Sequence, residues 1–347
     1  MALSKGKKIF SGVLVVLALA GAVAGFLAWS HFNRPVLDLG AQETAIIYIP
    51  TGSSYGDVVR IFTEHNYMTD TAFFGMLAEL KNYKNKVKPG KYRVKNHMTA
   101  NELINMLRSG NQVPVRFTFN NIRFVDKLAG LAAKKLELDS VALQALFHND
   151  AYLEQFGFNH QTVVAMFLPN TYEFYWNTNA DEFMQRMYRE YQKFWTDERK
   201  AKAAAMGMTP LEVSILASIV QEETNKRDEM ARIAGVYINR LKRGMLLQAD
   251  PTARFAYGDF SVKRVTYDYL EIDSPYNTYK YAGLPPGPIC MPEPATIDKV
   301  LNYEKHRYLF FCAKADGSGY HAFARTNAEH NRNARAYHNY LNRQGIR

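Results

Sequence analysis

The chain has 347 residues, 47% of them hydrophobic and 22% charged, which is enough for two domains with cores of their own and rules out a disordered or low-complexity protein. A formal net charge of +10 with 13% aromatic residues raises nucleic acid as a partner. The N-terminus argues against it: Lys5, Lys7 and Lys8 precede an uncharged run over 9–28, IFSGVLVVLALAGAVAGFLA, followed by Trp29.

About 20 apolar residues span a bilayer, and basic residues on one flank hold that flank inside. The alternative is a cleaved signal peptide, but the run continues past the small residues at 18–24 and is longer than the apolar part of such a peptide. We therefore expect a cytoplasmic tail over 1–8, a single-pass anchor over 9–29 and the remainder outside the cytoplasm. There the basic surface meets anionic headgroups or an acidic envelope polymer, and no nucleic acid. Cys290 and Cys312 either pair in an oxidising compartment or stay as buried free thiols, since both have apolar surroundings. No Cys/His cluster has metal-ligand spacing.

Residues 30–43, with Pro35 and Gly40, read as a tether. AIIYIP from Ala45 is a strand by its β-branched and aromatic content, and helices follow over 55–66 and 71–80. After the Pro89-Gly90 turn come a strand over 91–94 and a helix over 99–108 with Thr99 and Glu102 at capping-box spacing. This segment, 44–112, is similar to a LysM-like sugar-binding unit, and a structural spacer fits the same pattern. Residues 113–162 repeat a strand and a helix pair, as a second small α+β segment or degenerate copy.

From 163 to 347 the chain reads as one further domain. In FLPNTYEFYW, over 167–176, Pro169 and Asn170 suggest a turn followed by aromatics, which stack on sugar rings or build a core. An amphipathic helix over 181–195 follows. Thr209, Pro210 and Glu212 then open a capped helix whose Leu216, Ile219, Val220 and Glu223 fall on one face.

A carboxyl ending an apolar stripe is costly to bury, so it finds a partner or keeps its proton to higher pH and becomes a general acid. The plain alternative leaves Glu223 in solvent at the helix end. Asp228 or Glu229 starts another helix that Gly244 ends, placing Glu223 at the tip of a helix pair. Gln248, Asp250, Pro251 and Thr252 form a polar cluster with Asp250 set to cap a helix. The proline-rich stretch over 274–292 carries Tyr276, Asn277, Thr278 and Tyr279. A strand over 308–313 leads to His321, Phe323, Thr326, His330 and a C-terminal helix.

Taken together, LASIVQEET, AGVYINRLKRGMLLQADPT, SPYNTY, GLPPGPI and HAFARTNAEHN resemble the endolytic murein transglycosylases, the MltG or YceG-like family. The resemblance runs in order over nearly the whole chain, with the second half more specific. It implies an α+β protein: a transmembrane helix, a LysM-like module, then a mixed α/β catalytic domain with its glutamate at the end of a helix. The implied enzyme is anchored in the inner membrane and cuts peptidoglycan glycan strands between N-acetylmuramic acid and N-acetylglucosamine, leaving 1,6-anhydro ends. It implies no cofactor or metal, and peptidoglycan synthases as partners.

The family's glutamate before threonine falls on Glu223 before Thr224, and where members often carry an earlier glutamate this chain has Gln221. We expect Gln248, Asp250, Thr252, Tyr276, Asn277, Thr278, Tyr279, His321, Phe323, Thr326 and His330 to hold the sugars. The rivals are a lysozyme-type hydrolase, for which Asp250 is the nearest second carboxylate, and a non-catalytic peptidoglycan-binding scaffold.

Overall fold

The computed structural model describes residues 5–120, 122–260 and 267–345. The tail expected over 1–8 falls partly outside them, as do all side chains before Leu14. The chain folds as two compact units: residues up to Val115, the first helix α1 (Lys5–Phe32) among them, with Glu173–Asn177, and Arg116–Tyr172 with Thr178 onward. The sequence boundary expected at 162/163 therefore falls inside the second unit.

Along α1, Val16, Leu17, Leu19, Val23 and Phe26 are all exposed. Among the described residues, however, no single helix is long and apolar enough to cross a membrane.

In the first unit, β1 (Thr44–Ile49) leads to α2 (Tyr55–Glu64) and α3 (Thr71–Leu80), then β2 (Gly90–Lys95) and α4 (Ala100–Ser109). β1 alternates exposed and buried residues, so Ala45, Ile47 and Ile49 face inward, and it pairs antiparallel with β2 in a register that sets Ile47 opposite Tyr92. Phe62, Phe74, Leu103 and Leu107 from the helices close the core against them. The expected Thr99–Glu102 capping box is present, and Gly110 ends α4 in the left-handed conformation.

The second unit takes in β3 (Val115–Phe119) from Arg116 on, α5 (Val125–Ala133), α6 (Ser140–Phe147), the short α7 (Asp150–Leu153) and β4 (Asn170–Phe174) as far as Tyr172. Where β1 pairs with a strand of its own module, β3 pairs with β4 from beyond residue 163. The second segment is thus not a repeat of the first. β4 also replaces the turn expected at Asn170, and the aromatics of that stretch divide: Tyr172 and Phe174 are buried, Tyr172 stacking on Phe119, while Tyr175 is exposed and, within the first unit, Trp176 packs edge-on against the exposed Tyr48.

Then come α8 (Ala180–Phe194), α9 (Asp197–Ala205), α10 (Pro210–Glu223), α11 (Met230–Lys242), α12 (Asp250–Tyr257), α13 (Tyr267–Glu271) and α14 (Pro294–Leu301). The hairpin of β5 (Phe310–Ala313) with β6 (His321–Ala324), and α15 (Asn327–Arg343), complete the unit.

α10 starts as the sequence predicts, with Thr209 and Glu212 closing a capping box. Its burial is wider than one stripe, because every residue from Val213 to Val220 is buried, with α9, α11, α12 and α14 packed around it. The two serines in that run stay satisfied: Ser214 donates to the Pro210 carbonyl at 3.0 Å, and Ser218 donates to Ile215 O at 2.7 Å while accepting from Ile289 N–H at 3.0 Å.

α11 is pressed against the segment before β5 through Gly235, where a Cβ would lie 2.4 Å from the Glu304 carbonyl oxygen and 2.7 Å from His306 Nε2. Backbone cannot yield there as a flexible side chain can. Gly235→Ala is therefore expected to destabilise the fold by about 1–3 kcal/mol, seen as a lower thermal midpoint by circular dichroism.

Candidate active site

α10 ends at Glu223, and Thr224 turns the chain out in extended conformation, its hydroxyl accepting from Lys226 N–H at 3.0 Å. After a short turn α11 runs back alongside, bringing Tyr237 to Glu223 from 14 residues away. The buried Tyr237 hydroxyl donates to Glu223 Oε1. One turn on, Arg240 fixes the neighbouring loop to α11: Nε donates to Leu309 O at 2.6 Å, and Nη1 to Leu247 O at 2.8 Å, Leu246 O at 3.1 Å and Gln248 Oε1 at 3.2 Å.

These groups line a cavity of about 510 Å³ with Leu247, Gln248, Asp250, Tyr279, Phe311, Cys312, Ala313, His321, His330 and Tyr337. Its volume lies in the range of small-ligand sites.

Glu223 is half-buried, and its carboxyl is pushed up to about 8, first by burial. The hydrogen bond from Tyr237 opposes the rise, the charge of Asp250 adds to it, and Arg240 offsets part of it. At neutral pH the side chain thus carries its proton mainly because ionising it in this notch is costly. Burial also holds Arg240 below the ordinary arginine value and His330 below the ordinary imidazole value, the latter with help from the Arg240 charge.

Of the residues expected at the site, Glu223, Gln248, Asp250, Tyr279, His321 and His330 line the cavity. Asp250 does not cap α12 with its side chain. It is the first helical residue, and its carboxylate accepts the Tyr279 hydroxyl instead. His321 is held by the buried Glu229, whose carboxylate accepts from His321 N–H at 3.0 Å and lies 3.0 Å from Nδ1.

The others are not part of the lining. Asn277 is fully buried and donates to Leu270 O and Ile272 O, both at 2.9 Å. The hydroxyls of Thr252 and Thr278 lie 2.7 Å apart, with Thr278 accepting from Ala249 N–H. These three build the loop that presents Gln248, Asp250 and Tyr279. Tyr276 packs on Phe255, Phe323 packs on Tyr308 and Phe311, and Thr326 caps α15 in a box with Glu329. Small polar side chains in tight turns are more often spent on their own backbone than on a ligand.

Tyr237, Arg240, Phe311, Cys312, Ala313 and Tyr337 were not expected at the cavity. Tyr237 and Arg240 share a helix face by their spacing, which was readable, but only the packing of α11 on α10 points that face at Glu223. Both cysteines are free thiols, Cys290 buried and Cys312 half-buried in the cavity wall, which settles the alternatives in favour of no disulfide. Glu222 faces away from this cavity and forms an ion pair with Arg123.

A mixed α/β fold presenting a carboxyl held in its protonated form in a polar cavity has the features of a candidate acid–base site. The chain belongs to the YceG-like family, whose model matches residues 47–336. It is similar to the endolytic murein transglycosylase of Bacillus subtilis (strain 168), at 27% identity over 337 residues, covering 92% of this chain and 91% of that protein. The endolytic murein transglycosylase of Streptococcus pneumoniae (strain ATCC BAA-255 / R6) is 26% identical over 359 residues. This chain covers only 63% of that longer protein. A crystal structure of a YceG-like protein from Listeria monocytogenes matches with a TM-score of 0.55 at 25% identity, over 84% of this chain and 98% of the other.

The balance of forces on Glu223 can be tested directly. Tyr237→Phe removes the bond that favours the carboxylate, so the Glu223 midpoint, followed by carbon NMR of the side-chain carboxyl, should move further up. Stability carries a matching sign. The folded midpoint is raised from 4.5 to about 8, so the contribution of this group is fully present below 4.5 and lost as pH rises through about 8. Glu223→Gln is free of that loss, and its thermal midpoint should gain on that of the parent across this window. A gap independent of pH would contradict the raised midpoint of this carboxyl.

Proposed function

We propose that the chain is an endolytic murein transglycosylase that cleaves peptidoglycan glycan strands internally, between N-acetylmuramic acid and N-acetylglucosamine. The observation that carries the reading is the carboxyl of Glu223, pushed up to about 8 in a cavity of small-ligand size, in a chain of the YceG-like family. Two relatives that it matches over 92% of its length bear the name of that activity.

Protonated Glu223 donates to the glycosidic oxygen as the bond from C1 breaks and oxocarbenium-like charge develops. The carboxylate left behind takes the proton of the muramyl 6-hydroxyl, whose oxygen closes on C1. One bond is exchanged for another inside the substrate, no water enters, and Glu223 ends with its proton restored. Tyr237 holds Oε1, which leaves Oε2 as the oxygen that carries the proton to the sugar. Gln248, Asp250, Tyr279, His321 and His330 position the rings. Asp250 shares the cavity, so hydrolysis of the lysozyme type is the reading to discriminate against.

The enzyme acts outside the cytoplasm, where its polymer lies. The uncharged run over 9–28, with the exposed side chains of Leu14, Val16, Leu17, Leu19, Val23 and Phe26 in α1, supports a single-pass anchor over 9–29 in the inner membrane, with 1–8 in the cytoplasm. The 44–112 module is read as LysM-like, and synthases of the same membrane as neighbours in the pathway of wall growth.

Glu223→Gln should lower the rate of cleavage of purified glycan by about 10²–10⁴-fold while leaving the fold intact. Parent activity should fall as pH rises through about 8, where the acid loses its proton. Mass analysis of products should give anhydro ends, and reducing ends in their place would establish the hydrolase.

A further inference from the structure

A second polar cavity, of about 710 Å³, opens on the other flank of the α10 terminus. Arg123, Gln221, Glu222, Asn225, Arg227 and Glu293 are among its walls. Glu222 and Glu223 are adjacent in sequence yet face different cavities, because neighbours on a helix are about 100° apart. The acid–base step uses none of these groups.

The walls are of two kinds. Gln221 is fixed: its amide donates to Met291 O at 3.3 Å and accepts from Glu293 N–H at 2.7 Å, and Arg123 and Glu222 are joined in a half-buried ion pair. Arg227 and Glu293, in contrast, meet at 3.3 Å with side chains 74% and 36% exposed. Such a pair is held weakly and exchanges its partners at little cost. The cavity therefore offers a ligand one available cation and one available anion on a rigid polar floor.

Neutral sugar rings have no use for opposed charges. A short peptide carrying free carboxylates and a free ammonium group does, and in peptidoglycan such a peptide hangs from the muramyl sugar. We propose that this cavity docks the stem peptide, Arg227 taking its carboxylates and Glu293 its ammonium group, while the sugars occupy the Glu223 cavity. The proposal rests on the glycan-cleaving reading above. A strand crossing the end of α10 passes Glu223 with its sugars and sends the peptide to the flank. Specificity for peptide-bearing over naked strands then resides in residues that do no acid–base chemistry.

The test has two arms on the full chain. In the first, a synthetic muramyl peptide with free carboxylates and one free amine is titrated into the parent and into Arg227→Glu and Glu293→Gln, following backbone amide shifts of Gln221 and Asn225. Arg227→Glu should weaken binding roughly tenfold, and Glu293→Gln roughly threefold, with the latter loss vanishing when the amine is acetylated. No shifts with the parent, or equal affinity for all three proteins, overturns the proposal. In the second arm, the ratio of kcat/KM on peptide-bearing strands to that on peptide-free strands should fall roughly tenfold in Arg227→Glu, mainly through KM. An equal fall on both substrates overturns it. Failure of the parent to cleave either strand would count against the cleavage reading, and the peptide titration still decides the docking site.

Discussion

The carboxyl of Glu223 lies where the last turn of α10 meets the middle of α11, with the Tyr237 hydroxyl on Oε1 and the charges of Asp250 and Arg240 nearby. Burying a carboxyl costs free energy, and the side chain lowers that cost by keeping its proton. The Tyr237 bond pulls the other way, so the midpoint stands at about 8 instead of climbing further. Under the proposed function, an acid must be poised in this way, ready to donate and able to exist as a base once it has done so. The rest of the second unit follows from holding this contact in place.

α10 is the strut for that purpose. Eight successive buried residues, Val213 to Val220, leave it no freedom to rotate or slide among its neighbours, so its final residue is aimed reproducibly. Arg240 does the corresponding work on α11. Its guanidinium satisfies four acceptors, three of them backbone carbonyls, and joins α11 to the 246–248 loop and to the residue before β5. A guanidinium with its fork of fixed donors suits this role better than a lysine would. Behind the loop, Thr252, Asn277 and Thr278 spend their polar atoms on one another and on backbone, which makes the wall carrying Gln248, Asp250 and Tyr279 stiff before any ligand arrives.

The end of α10 also separates two chemical environments. Toward α11 and the β5–β6 hairpin lies a cavity with the half-buried Glu223, Asp250, imidazoles and tyrosines. Toward the 120–123 and 291–293 segments lies one with ion pairs. A polymer whose backbone is neutral and whose branches are charged presents that same division. The helix terminus is a natural place for it, since successive residues there diverge in direction while the chain itself stops and leaves room.

Much of this was legible in the residues. The capping boxes at Thr99 and Thr209, the glycine stop at Gly110, β1 as a strand by its β-branched and aromatic content, and the helix carrying Glu223 depend on contacts within a few residues, and local rules report local contacts. Glu223 drew notice as a carboxyl ending an apolar stripe, a pattern that a solvent-exposed helix end fits as well, and it was the family resemblance that singled it out. Tertiary structure decided what sequence spacing could not carry. It paired β3 with β4, wrapped α10 on every side, and brought Tyr237 and Arg240 to the acid. It also withdrew Thr252, Tyr276, Asn277, Thr278, Phe323 and Thr326 from the cavity, because a polar or aromatic side chain reads alike in sequence whether it serves its own loop or a ligand. Which of the two it serves depends on what packs beside it, and those neighbours are supplied by segments distant in the chain.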